Sequence, residues 1–263
     1  MFLTLGGCSW FSSDEADEDS IKPAMADAPA EELYARAMDY LNRKNYEVAA
    51  EEFDEVERQH PASAWATQAQ LMSGYSLYEA NKYDDALIAL DKFIQLHPGN
   101  RDVAYAYYLK ALCYYEQISD VARDQSMTLR AQAALQEVVD RFPDSRYAKD
   151  AKIKIDLTID HMAGKEMSTG RYYQSSNQYL AAINRFKTVI DRYQTTTHVP
   201  EAMHRLIELY TTLGLKEEAA KTAAVLGHNY PGSEWYEDSY ALMTTGANAP
   251  GKTESDGWFD WLW

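Results

Sequence analysis

Asp156, Asp160 and His161 come nearest in this chain to a set that could do acid–base chemistry, since a carboxylate beside an imidazole can hold and steer a proton. One helical turn of carboxylates next to a histidine is also what an ordinary solvated helix face presents. The other histidines do not converge. His60 and His97 stand at equivalent points just before Pro61 and Pro98, where packing explains them, and His198 and His204, six apart, fall on different faces of a helix. No HExxH, no CxxC and no glycine-rich phosphate loop occurs, so the sequence offers no catalytic residues, no metal ligands and no cofactor site. It reads as a non-enzyme.

The two cysteines have separate contexts, which argues against a disulfide framework. Cys113 lies in the apolar helical pattern of Leu109, Leu112 and Tyr115, where a thiol behaves as a small buried hydrophobe. Cys8 follows small residues in Leu5-Gly6-Gly7-Cys8, which resembles the lipobox of bacterial lipoproteins, whose cysteine is acylated and becomes the mature N-terminus. Met1 to Leu5 are too few for the charged and apolar regions of a signal peptide, so a truncated or misassigned start is expected. No run of 18 apolar residues is present, and attachment to a membrane would therefore come from acyl chains on Cys8.

The elements that must position these residues are helical. At 263 residues and 46% hydrophobic composition the chain can build its cores without metal or disulfides. A net charge of −16 repels polyphosphate and disfavours nucleic acid as a partner. Residues 9–30 are polar, acidic and poor in large apolar side chains, so they cannot offset their ordering entropy and are expected to be a flexible tether after a signal remnant at 1–8. From residue 31 the pattern changes to long apolar-periodic stretches broken by Pro, Gly and Asn, with almost no alternation of the strand kind.

Internal repetition decides the fold class. A residue, then alanine three later, a large apolar residue four later and proline eight later recurs as Tyr46, Ala49, Phe53, Pro61 and as Tyr83, Ala86, Leu90, Pro98. Looser frames follow: Thr128, Ala131, Leu135, Pro143; Tyr179, Ala182, Phe186, with Gln194 in place of proline; and Lys216, Ala219, Ala223, Pro231. These frames resemble the second helix of a tetratricopeptide repeat (TPR). Upstream of each lies a first helix with a small residue at the crossing, Ala37, Gly74, Ala111 and Gly170; Ile207 in the fifth predicts wider or shifted packing there. Three residues on stand Tyr40, Leu77, Tyr114, Tyr173 and Tyr210 as packing partners. The alanines are spaced 37, 45, 51 and 37 residues apart, against about 34 in a regular array. The excess is expected as a loop over Ser119–Gln125 and as one long or kinked helix from Ser145 to about Ser176, with Gly164 as a candidate bend. The prediction is an all-α superhelical solenoid of five TPR-like helix pairs at about 31–62, 63–99, 100–144, 145–195 and 196–245. A linker and aromatic tail with Trp258, Phe259, Trp261 and Trp263 follow at 246–263, and the tail is expected to dock on a partner.

Arg141-Phe-Pro-Asp-Ser-Arg-Tyr-Ala-Lys-Asp-Ala151, Glu166 followed by Tyr172-Tyr173, and Tyr179-Leu-Ala-Ala-Ile-Asn-Arg185 resemble the BamD family, as does Arg123-Asp124-Gln125. The resemblance spans roughly residues 31–245. It implies an outer-membrane lipoprotein on the periplasmic side, serving the machinery that folds β-barrels, with C-terminal repeats on the periplasmic domains of BamA, contacts to other Bam subunits, and N-terminal repeats toward unfolded outer-membrane proteins. A different periplasmic TPR lipoprotein, acting as an envelope or cell-division adaptor, is the alternative. By position Arg185 falls on an arginine that in this family pairs with an acidic group on BamA, and Glu166 and Tyr173 join it as partner residues. Glu166 can equally pair within the long helix. Gln194, and Ser175-Ser176-Asn177 where the family often has a basic residue, depart from the pattern. Trp65, Tyr78 and Tyr34 are the client-binding candidates, because aromatic side chains offer large contact area at low entropic cost. Tyr40 and Tyr75 are assigned to the repeat core.

Overall fold

The computed structural model describes residues 28–121 and 123–245, so Cys8, the acidic segment before residue 28 and the aromatic tail lie outside the described residues. Among the described residues there are eleven helices and no strand: α1 (Ala30–Asn42), α2 (Tyr46–Gln59), α3 (Ala64–Glu79), α4 (Tyr83–Leu96), α5 (Val103–Tyr115), α6 (Ser126–Arg141), α7 (Arg146–Ser175), α8 (Tyr179–Arg192), α9 (Val199–Thr212), α10 (Lys216–Asn229) and α11 (Glu234–Thr245). The first ten form five helical hairpins stacked in order, and α11 packs on α9 and α10 at the end. Odd-numbered helices also touch one another, α1 on α3, α3 on α5, α5 on α7 and α9 on α11, so they line the inner side of the superhelix. None of these helices is long and apolar enough to cross a membrane.

The turns recur because the same backbone problem is solved each time. Within a hairpin, Lys44, Asn81, Asn177 and Gly214 take the left-handed conformation, with φ of 60°, 60°, 58° and 74°. Asn and Gly tolerate that region best. The following N–H groups of Asn45, Lys82, Gln178 and Leu215 reach back to the carbonyls of Tyr40, Leu77, Tyr173 and Tyr210 at 2.8–3.0 Å, satisfying carbonyls that the helix end leaves open. Tyr83 and Tyr179 donate their hydroxyls to Asn81 and Asn177 Oδ1 at 2.8 and 2.9 Å. Asn177 thus serves the turn between α7 and α8. In the third pair this turn is replaced by the longer stretch between Tyr115 and Ser126.

Between pairs, the residue closing each second helix, His60, His97, Phe142, Tyr193 and Tyr230, sits at φ between −135° and −125° and ψ between 42° and 57°. In four of the five a proline follows and excludes the helical conformation for that residue. Tyr193 adopts the same geometry before Gln194, so the turn survives without proline. Ser63, Ser145 and Ser233 then cap α3, α7 and α11 by accepting from the N–H of Trp65, Ala148 and Trp235 at 3.1–3.2 Å.

The crossings explain the small residues. A Cβ on Gly74 would stand 2.8 Å from Leu90 Cδ2, and one on Gly170 2.5 Å from Phe186 Cε1. In the fifth pair Ile207 is fully buried and its frame partner Ala223 packs against the same cluster, so large and small have exchanged helices. Gly227 gives the neighbouring room to α11: a Cβ there would stand 2.5 Å from the Tyr236 ring. Helix α9, buried over most of its faces, is the centre of this closing cluster.

Helix α7 runs 30 residues without a break through Gly164, which leaves room for two loops. Its Cβ would meet His198 Nε2 and Val121 Cγ1 at 3.3 Å. Gln125 Oε1 lies 3.0 Å from His161 Nδ1, while Asp160 receives Thr197 Oγ1 at 3.2 Å and faces His198 Nε2 at 3.6 Å. Two of the three residues that looked most like an acid–base set, Asp160 and His161, therefore tie two loops to α7, while Asp156 is exposed on its surface. Cys113 is a free thiol in the core, pushed up to about 12 by burial.

Candidate functional site

Two regions gather side chains beyond what the repeat needs. The first is a row of tyrosines along α3, α5 and α7 on the inner side. Tyr75 and Tyr78 on α3 are matched by Tyr105 and Tyr108 on α5, each pair three residues apart on one helix face. Tyr147, from the first turn of α7, lies against both α5 rings, with centroids 5.3 Å from Tyr105 and 5.3 Å from Tyr108, the latter nearly parallel. The Arg146 guanidinium lies 4.8 Å from the Tyr147 ring and the Lys154 ammonium 4.6 Å from that of Tyr115, both within cation–π range. Tyr108 donates its hydroxyl to Asp150 Oδ2. Burial pushes the Tyr78 phenol up to about 12, with Glu116 and Tyr83 adding to it, and burial likewise raises Tyr75, Tyr105 and Tyr108. All four stay protonated at neutral pH, and Tyr108 already gives its O–H to Asp150. Their rings are partly buried, leaving part of each face on the surface.

Of the client candidates read from sequence, Tyr34 and Trp65 meet, with centroids 4.9 Å apart, over the first core cluster, where Tyr34 also touches Phe53 at 5.3 Å. Tyr78 lies apart from them in the row, next to Tyr83 at 5.9 Å. Sequence reasoning missed Tyr105, Tyr108 and Tyr147 and assigned Tyr75 to the core, which it does border. The signal that could have found them is the repeated three-residue spacing on successive first helices.

The second region lies on α7, α8 and α9. Arg185 Nη1 donates to Glu166 Oε2 at 3.2 Å, so Glu166 pairs across to the next helix and not within its own. The Arg185 side chain is 44% exposed, and the pair uses one guanidinium nitrogen. A contrasting network sits beside it. Glu201 is buried between Arg171 Nη1, at 2.9 and 3.1 Å, and Arg205 Nε at 3.5 Å. Glu208 receives Gln174 and Arg205 at 3.1 Å and lies 3.5 Å from His204 Nε2. Burial raises the Glu208 carboxyl, but His204, Arg205 and Gln174 outweigh it and hold it down at about 2. The arginines of this network are 38% (Arg171) and 23% (Arg205) exposed, against 44% for Arg185. Tyr173 packs against the core cluster, and the exposed rings and side chains at this turn are Tyr172 and Leu180. Among the described residues no group of three His, Cys, Asp or Glu side chains is placed to hold a metal ion.

A stacked array of helical hairpins with an aromatic inner row is a solenoid of the TPR kind. The TPR domain of P58(IPK) overlaps it at 12% identity and a TM-score of 0.41, covering 81% of this chain and 55% of that one. The family model YfiO, described as outer membrane lipoprotein, matches residues 26–226. The outer membrane protein assembly factor BamD of Caulobacter vibrioides is 51% identical over 231 residues, 87% of this chain and 76% of that protein. That of Rickettsia prowazekii is 48% identical over 92% of both chains, and that of Neisseria meningitidis serogroup A 35% identical over 88% of this chain and 89% of that one. The chain belongs to the BamD family of outer membrane protein assembly factors.

Proposed function

We propose that this protein is a lipid-anchored, non-catalytic scaffold of the β-barrel assembly machinery, acylated at Cys8 and held at the periplasmic face of the outer membrane. Its C-terminal repeats dock on the periplasmic domains of BamA and its N-terminal repeats hold unfolded outer-membrane proteins. Membership of the BamD family carries the reading, and the geometry supports this division of labour. On the N-terminal side, the rings of Tyr78, Tyr105, Tyr108 and Tyr147 give an extended chain flat apolar surface, and the protonated hydroxyls of Tyr78 and Tyr105 are donors for its backbone carbonyls. An unfolded strand offers both groups along its length, without a fixed sequence. On the C-terminal side, the planar fork of Arg185 can take a partner carboxylate in two parallel hydrogen bonds, and exposed Tyr172 and Leu180 supply apolar area nearby. The chain carries no nucleotide motif, so the free energy of the client's own folding drives release.

Affinity purification from native membranes tests the whole reading. Recovery of a β-barrel protein with periplasmic domains is expected; recovery of other envelope proteins without it would overturn the assignment. The client surface has its own test in fluorescence anisotropy with a urea-unfolded outer-membrane β-barrel protein, diluted into buffer. Tyr147→Ala, which removes the ring shared by Tyr105 and Tyr108, is expected to weaken binding about three- to tenfold. Unchanged affinity would move the client site elsewhere.

A further inference from the structure

At 30 residues α7 is about twice the length of its neighbours, and α8 pairs with its second half. Arg185 meets Glu166, Phe186 fills the space at Gly170, and His198, from the loop after α8, lies against Gly164. The first half packs on α5 and α6, placing Ala151 and Ile155 in their shared core. Among the described residues no second helix covers its opposite face. Two large apolar side chains stand there one turn apart, Ile153 at 61% and Leu157 at 52% exposed.

The charges on this face have an order. Lys149 stands one turn before Ile153, and Lys152, Asp156 and Asp160 run beside the apolar pair at the same four-residue spacing, so the stripe is basic toward its N-terminus and acidic toward its C-terminus. Lys149, Lys152 and Asp156 are exposed, and among the described residues their side chains make no hydrogen bond or ion pair. Elsewhere along α7 charged side chains are engaged: Arg146 lies over Tyr147, Asp150 takes the Tyr108 hydroxyl, Lys154 lies over Tyr115, Glu166 holds Arg185 and Arg171 holds Glu201. Asp160 is used in part, by Thr197 and His198.

We propose that this face pairs two copies of the chain, the first halves of their α7 helices lying antiparallel about a two-fold axis near Ile155. Ile153 of each copy then packs on Leu157 of the other, Lys152 meets Asp156 and Lys149 meets Asp160, the same patch serving both copies. The order of charges selects this occupant. It is its own complement only when the helices run antiparallel, since a parallel pair would set lysine against lysine and aspartate against aspartate. Each copy gives the other the second helix that this half of α7 lacks. A contact of so few turns belongs to the class below about 1,200 Å², so the pair is weak and depends on concentration. The face is separate from the tyrosine row, because Tyr147, Asp150 and Lys154, which serve that row, leave α7 roughly a third of a turn away. It therefore stands or falls apart from the client-binding reading.

The test is sedimentation velocity of the full chain, expressed without export so that it carries no acyl group and kept reduced so that Cys8 forms no disulfide. The sedimentation coefficient of the parent is expected to rise with concentration toward that of a dimer. Lys152→Glu alone and Asp156→Lys alone each set like charges against one another across the axis, and each is expected to weaken association about tenfold. Both residues are exposed, so the variants should keep the parent's helical circular dichroism. An equimolar mixture of the two variants restores opposite charges at both contacts and is expected to recover the parent's association. A parent that stays monomeric up to about 1 mM, single variants that associate as the parent does, or a mixture no better than either variant alone would each overturn the proposal.

Discussion

At Gly170 a single missing methyl group sets how closely α7 and α8 cross. A Cβ there would press into the Phe186 ring at 2.5 Å, whereas at Gly99 nothing lies within 4 Å. Gly170→Ala is therefore expected to lower stability by about 1–3 kcal/mol, as overpacking of a closed core does. Gly99→Ala should stay within about 0.5 kcal/mol of the parent; equal melting temperatures for the two variants would contradict the crossing. Glu208 makes a pH prediction. Its folded-state pKa, about 2, is depressed below the ordinary 4.5, so its contribution is fully present above pH 4.5 and is lost as pH falls toward 2. Glu208→Gln should flatten the fall in melting temperature over that window, and an unchanged acid slope would refute the role given to His204, Arg205 and Gln174. Small residues at crossings were legible in the sequence because the repeat frame fixes their position. The Glu166–Arg185 pair was not, because its partners lie 19 residues apart on different helices and their meeting depends on the length of α7.

At the scale of elements, the turns were the most legible feature and also the most redundant. Gln194 looked like a defect in the fourth frame, yet Tyr193 has the backbone of the residues that precede proline elsewhere. The turn closes through Thr196 N–H to the Tyr193 carbonyl at 3.1 Å, as Ser63 closes on His60 at 2.9 Å, without using the Gln194 N–H. Gln194→Pro should therefore raise stability by about 0.4–1 kcal/mol by restricting the unfolded chain; a lower melting temperature would show that the turn differs from its siblings. The long α7 was legible from its uninterrupted apolar period. What Gly164 does there was not, because its neighbours His198 and Val121 arrive from distant loops. Helix α11 escaped separate notice for a similar reason. It packs on α10 where Gly227 admits Tyr236, which a repeat frame does not record.

Across the whole molecule, each hairpin rests on its neighbours, so stability is roughly a sum of repeat and interface contributions, and the two ends can serve different partners without one fold-wide rearrangement. The aromatic row draws on pairs two to four and Arg185 with Glu166 on pair four, with α7 contributing to both. That a solenoid would form was legible from periodicity alone. Which surface does what required the helices to be placed, since Tyr105 and Tyr147 are 42 residues apart and become neighbours only when α5 and α7 stack. The C-terminal repeats are proposed to hold BamA through Arg185. The most direct measurement of this is co-purification of BamA from native membranes with Arg185→Glu and with the charge exchange Arg185→Glu plus Glu166→Arg. Both variants are expected to keep the parent's helical circular dichroism and to lose BamA, because the exchange rebuilds the internal ion pair but not the cation at residue 185. Undiminished recovery with Arg185→Glu, or recovery restored by the exchange, would contradict it and leave Arg185 as a strut for Glu166.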